Sequence, residues 1–327
     1  MTTAWDLSET PLSPYLDPWG IHLLRLLSDA GLRCVGVEMS AERDGMDLLI
    51  ALPVEKLQRA AQMLSGISKM EQIHSHLNQL SKQRFIHQYV DHIWLELDQD
   101  HPEQFSTFLG YPGNVQQDNE RIAMLDLVAK CLINQELNGS SYHALKLILE
   151  YLKTSRLLKQ INAGGHIISE VGWMNRMEQS HLKLLITPGY RRSPLDLLSN
   201  LFDANMQTMI KEQIIRPLST IEEPETDPLN IHVSVAVDLD GTRAAVEVSH
   251  TPTQNSFRFD TDFCKKIQHF SGQGTQMMPL FQRIKSIQKQ SVGKGVRLQL
   301  SHLKVSVETE PSSAYKKKIY VRVLTED

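Results

Sequence analysis

Apolar and polar residues alternate with a period of two in ten stretches of this chain, and the stretches come in pairs. "LRCVGVEMS" (32–40) and "MDLLIALP" (46–53) flank the charged turn "AERDG". "HIWLELD" (92–98) is followed by a weaker β-like stretch, "EQFSTFLGY" (103–111), and "HIISEVGWM" (166–174) by "HLKLLIT" (181–187). "IHVSVAVD" (231–238) and "RAAVEVSH" (243–250) meet at Asp240-Gly241, a dipeptide that tolerates the positive φ of a type I′ turn. The last pair is "VRLQLSHLKVSVE" (296–308) and "KKIYVRVL" (317–324).

Between the pairs the period lengthens to about 3.6, the mark of amphipathic helices. It does so over 19–31, 54–67, 121–135, 141–158, 193–215, 260–272 and 277–290, with Ser193 and Asp260 placed as N-caps. The Pro- and Glu-rich stretch 216–230 reads as a long connection inside one domain, because the same pattern resumes on both sides of it.

Helix, strand, strand, helix therefore recurs about five times, and a unit that cannot bury its own faces has to stack on its neighbours. Ten antiparallel strands strain an open sheet, whereas closure removes its edges. The expected fold is α+β: one closed ten-stranded antiparallel β-barrel over residues 1–327, built from α-β-β-α repeats with the helices outside.

If the apolar set of each strand meets the helices, the alternate set lines the interior. That set holds His92, Trp94, Glu96, His181, Lys183, Glu247, Arg297, His302, Lys304, Lys318, Tyr320 and Arg322. The tetrapeptide Ser-His-Leu-Lys opens both 180–187 and 301–308, and each copy assigns a histidine and a lysine to the interior. The alternation slips near Ser301, where a β-bulge is the simplest repair. A ten-stranded barrel leaves room for a ligand, and cations gathered in it call for an anion, phosphate above all. A sheet with one face in water would carry many of the same residues, but Trp94 and Tyr320 suit such a face poorly. An open α+β interaction protein is thus a separate reading, in which both rings are solvent-accessible.

Composition narrows the class. A net charge of −4 argues against a nucleic-acid surface, and Cys34, Cys131 and Cys264 are too scattered for a disulfide framework or a zinc site. With no leader-like start and no apolar run long enough to span a membrane, the chain reads as soluble and cytoplasmic. No P-loop, nucleophile elbow, zinc-protease or dinucleotide motif stands in its required setting, and "SGQGTQ" (271–276) follows no strand. Asp98/Asp100 and Asp238/Asp240 read as turn formers, and His74 and His76 as surface residues, so no metal site is assigned.

The repeat order, together with Lys-x-Tyr-x-Arg at Lys318, Tyr320 and Arg322, resembles the ABBA-type (PT-barrel) aromatic prenyltransferases. The resemblance implies a transferase that moves a prenyl group from an allylic isoprenoid diphosphate to an aromatic or peptide-borne acceptor in specialised metabolism. It implies a diphosphate cradle of Lys183, Lys304, Lys318, Tyr320 and Arg322, with Arg297 and Arg176 as further cations. By the same resemblance Trp94 shields a carbocation and Glu96 orients the acceptor or takes its proton. No cofactor is required, and a magnesium ion escorting the diphosphate is compatible with it. The alternative is a non-prenylating protein that binds or modifies a small molecule or peptide in the same interior.

Overall fold

The computed structural model describes residues 18–29, 35–40, 46–67, 70–98, 101, 105–110, 146–147, 150, 159, 161, 163, 165, 167–174, 181–187, 204–210, 212, 229–238, 241–250, 277–291, 296–308 and 316–325. The strands are β1 (Val35–Ser40), β2 (Met46–Pro53), β3 (His92–Leu97), β4 (Ser106–Gly110), β5 (Ile167–Met174), β6 (His181–Thr187), β7 (Leu229–Asp238), β8 (Gly241–His250), β9 (Val296–Glu308) and β10 (Lys316–Thr325). The helices are α1 (Pro18–Asp29), α2 (Leu57–Leu64), α3 (Glu71–Ser81), α4 (Arg84–Tyr89), α5 (Ala204–Ile210) and α6 (Met277–Ser291). The predicted helices 121–135 and 260–272, the caps Ser193 and Asp260, the three cysteines, "SGQGTQ", Arg176 and residues 216–228 lie outside the described residues.

The strands form a curled antiparallel sheet in the hydrogen-bonded order β1-β10-β9-β8-β7-β6-β5-β4-β3-β2, and β1 carries β10 on one side and β2 on the other. Antiparallel pairing collects the short links within each strand pair at one end of the sheet and the long connections at the other. Those ends are called the hairpin end and the helix end below.

One face of the sheet is apolar, and helices cover it. Val37, Met39, Leu48, Ile50, Leu52, Ile93, Leu95, Leu97, Leu109, Leu182, Leu184 and Ile186 are all buried. Each such side chain contributes about 1.5–3 kcal/mol when fully buried. The α1 helix reaches this face at Gly20, where a Cβ would sit 3.3 Å from Leu48 Cδ1. In α2 the buried set is Leu57, Ala60, Ala61 and Leu64, a stripe with helical spacing. The chain leaves α2 through Gly66 at φ +85, a left-handed conformation that a side chain would disfavour.

In α3 the buried stripe is Ile73, His76, Leu77 and Leu80, so a histidine takes an apolar slot. The expectation of a surface His74/His76 pair is corrected here. His76 is buried, with Nε2 2.8 Å from Thr107 Oγ1 on β4 and its ring 5.2 Å from that of Phe105. His74 is part-buried and donates Nδ1–H to the Ala61 carbonyl of α2 at 2.7 Å. Burial pushes the His76 imidazole down to about 3, so the ring is neutral across the ordinary pH range. An apolar slot cannot hold an imidazolium without cost, and that is why this histidine stays uncharged.

Two register details position the other face. In β9 Tyr320 pairs with His302 and Val321 with Leu300, which leaves Ser301 as the extra residue of a bulge and restores the alternation on both sides of it. The β7–β8 hairpin turns one residue earlier than the Asp-Gly cue implies, since Asp238 pairs with Gly241. Either register satisfies the alternation, and the observed one sets His232 opposite Glu247.

Candidate functional site

Residues directly opposite one another on neighbouring strands share a face, so the pairing register sorts the candidates without reference to side chains. Glu38 stands opposite Asp47 and Tyr320, Leu49 opposite Gly36 and Glu96, and Glu96 opposite Ser106. One continuous row runs Ala51, Trp94, Phe108, Gly172, Lys183, Ser234, Ala245 and Glu308 across eight strands. The next row toward the helix end runs His92, Gly110, Glu170, Leu185, His232, Glu247 and Ser306. Lys318 pairs with Lys304 and Ser40, Arg322 with Gln299 and Gly36, Leu324 with Arg297, and His181 with Met174 and Ala236. Every candidate among the described residues therefore falls on the face opposite the helices, called the inner face here.

Side-chain placement on that face is described for β1 to β6 and for Lys318 and Tyr320 of β10. Toward the hairpin end it is polar yet buried. Glu38, Asp47 and Glu96 are 1%, 2% and 5% exposed, and each offers a carboxylate oxygen within 4.8 Å of the others. Lys318 forms an ion pair with Glu38, and Tyr320 beside it is 4% exposed. The three carboxylates are oxygen donors of the kind that hard divalent ions such as magnesium take, and Lys318 already brings a cation to Glu38.

Further along the axis the inner face becomes aromatic. Phe108 lies across β5, where a Cβ added to Gly172 would overlap its ring, and Lys183 of β6 holds its ammonium 5.5 Å from the ring centroid. Lys183 is 4% exposed. One row nearer the helix end, the His92 ring lies where a Cβ on Gly110 would be, and its Nε2 is 3.6 Å from Glu170 Oε1. His92 also meets Trp94 edge to face, with the centroids 5.9 Å apart. The His92 and Glu170 side chains are 38% and 23% exposed, so exposure rises from the hairpin end to the helix end.

Of the candidates, the structure brings Glu96, Lys318 and Tyr320 into one cluster and puts Trp94 and Lys183 in the adjoining row. His181, Glu247, Arg297, His302, Lys304 and Arg322 have inner-face register positions, and Arg176 lies outside the described residues. Sequence reasoning passed over Glu38, Asp47, Phe108, Glu170, Gly110 and Gly172. The signal for two of them was present: in "VGVEMS" and "MDLLIALP" the alternation that sends Val37, Met39, Met46 and Leu48 to the helices leaves Glu38 and Asp47 for the other side. Trp94 is part-buried and Tyr320 buried, unlike the rings of an open interaction surface.

Among the described residues no helix is long and apolar enough to cross a membrane. No protein-family model and no curated protein matches the chain. Among solved structures it is similar to the crystal structure of AnaPT from Neosartorya fischeri, at 12% identity and a TM-score of 0.47, covering 90% of this chain and 79% of that one.

Proposed function

We propose that the sheet works as a closed ten-stranded barrel and that its interior transfers a prenyl group from an allylic diphosphate to an aromatic or peptide-borne acceptor. The observation that carries this reading is the buried ammonium of Lys183, which shares the inner face with the buried phenol of Tyr320, the Lys318 ammonium and a buried carboxylate, Glu96. A water-facing sheet would leave such groups exposed, whereas a chamber that takes a charged ligand buries them. In the proposed reaction the allylic C–O bond breaks and its electron pair leaves with the diphosphate, held by Lys183, Lys318 and Tyr320. Trp94 and Phe108 present π-faces to the allylic cation. An acceptor carbon forms the new bond, and the proton it then sheds passes to the Glu96 carboxylate. If magnesium accompanies the diphosphate, the donors of matching type are Glu38, Asp47 and Glu96.

Equilibrium binding of labelled dimethylallyl and geranyl diphosphates tests the reading: saturable binding is expected, and its absence in the unmodified protein rules out prenyl transfer. Lys318→Ala should weaken binding and also destabilise the fold by about 3 kcal/mol, because Glu38 stays buried without this partner. Restoration of stability, but not of binding, in Lys318→Ala/Glu38→Ala would separate the two effects.

A second reading, binding or modification of another small molecule or peptide, is favoured by the local charge. The described inner-face carboxylates Glu38, Asp47, Glu96 and Glu170 outnumber the ammoniums Lys183 and Lys318. That balance suits an amine-bearing ligand at the hairpin end. Mass spectrometry of small molecules retained by the purified protein distinguishes it from diphosphate turnover.

A further inference from the structure

Two strand glycines, Gly172 within β5 and Gly110 at the end of β4, share a construction. Phe108 of β4 passes over Gly172 of β5 to reach Lys183 of β6, the three standing in one row. One row away, His92 of β3 passes over Gly110 of β4 to reach Glu170 of β5. In each case a planar ring lies sideways on the wall, over a residue that has no side chain, and ends against an ionisable group two strands away. Glycine weakens a strand, so Gly172 inside β5, like Gly110 at the last position of β4, fits a place that another group must approach closely.

We propose that Gly172 and Phe108 are the positioning residues for Lys183, setting its ammonium toward the chamber for a phosphate-type anion. The identity of that anion rests on the function proposed above; the positioning does not. A lysine stem is flexible and its ammonium takes up many positions unless something holds it. The Phe108 π-face is such a support, because the ring quadrupole attracts the cation in a place from which water is largely excluded. The ring can lie at that angle only while position 172 lacks a Cβ. A methyl group there must push the ring off the wall, away from Lys183 and into the chamber. The link from sequence to site is therefore steric: absence of a side chain on β5 decides where a charge on β6 sits.

The test uses two readouts on the full chain. In protein carrying 13C-lysine, the Cε–H signals of Lys183, assigned by their loss in Lys183→Arg, are expected upfield of the other lysines through the Phe108 ring current. Gly172→Ala and Phe108→Leu should remove that shift, Phe108→Tyr should keep it, and Gly110→Ala, which disturbs the His92 row, should leave it in place. Calorimetric titration with inorganic pyrophosphate should show binding weakened about tenfold by Gly172→Ala and by Phe108→Leu, with the double variant no weaker than Phe108→Leu. An unshifted Lys183 signal in the unmodified protein, or a shift that survives Gly172→Ala, overturns the positioning role. Lack of pyrophosphate binding together with the expected spectral changes leaves the positioning standing and removes the diphosphate site. Should Gly172→Ala fail to fold, Phe108→Leu and Phe108→Tyr decide the matter by themselves.

Discussion

At the scale of single residues, burial decides what a polar group can do. His76 sits in the apolar stripe of α3 against Thr107 and Phe105, and its imidazole is held near 3 by desolvation. In the unfolded chain the same ring titrates at the ordinary histidine value of 6.5. The unfolded state therefore takes up the proton first as pH falls. This group's contribution is complete above pH 6.5 and is lost as the pH drops from there toward 3. The slope approaches about 1.4 kcal/mol per pH unit. His76→Gln keeps a hydrogen-bonding group toward Thr107 and removes the titration. Urea unfolding of both proteins between pH 7 and pH 4 should show the wild type losing stability faster by roughly that slope. Parallel curves would mean that the ring is hydrated or already charged in the fold. The histidine was visible in the sequence, but its burial was not. A residue type that is usually exposed gives no local sign that it has taken an apolar position.

At the scale of elements, alternation carries most of the information. The strand bounds read from it agree with the structure to within a few residues, down to the slip at Ser301. With Ser301 bulged out, Leu298, Leu300, Leu303, Val305 and Val307 share the helix face through their pairs on β8 and β10. Removing Ser301 restores strict alternation on both sides of the gap. The deletion variant is thus expected to keep one cooperative thermal transition and a β-rich circular dichroism spectrum. Its loss of local bend should show up instead in ligand affinity beside Tyr320 and His302. A variant that does not fold would mean that the bulge is needed for the sheet itself. The elements missed are α3, whose apolar stripe is interrupted by His76, and α4, whose 6 residues are too few for a periodicity count.

At the scale of the whole molecule, the question is whether the sheet has edges. β1 pairs with both β2 and β10, so its amides should exchange with solvent as slowly as those of β5 and β6. Hydrogen–deuterium exchange read strand by strand checks this. Fast exchange of alternate amides in β1 or β10 would mark an open edge and remove the chamber on which the proposed prenyl transfer depends. The axial gradient belongs to the same scale. Burial at Glu38, Asp47 and Glu96 gives way to partial exposure at His92 and Glu170, so among the described residues the helix end is the more open, the side from which a ligand of the proposed chamber would enter.

By itself the sequence determined which residues share a face, because side chains on a strand alternate whatever lies beyond it. From that rule come the strand pairs and the inner-face positions of Trp94, Glu96, Lys183, Lys318 and Tyr320. Only the tertiary structure decided which inner residues meet. The meeting of Glu38 with Lys318 and Glu96, and the passage of Phe108 over Gly172 to Lys183, depend on register between strands far apart in the chain. Register between strands joined by long connections is a property of the pair, so no local pattern encodes it, and a glycine shows its purpose only once a neighbouring ring lies across it.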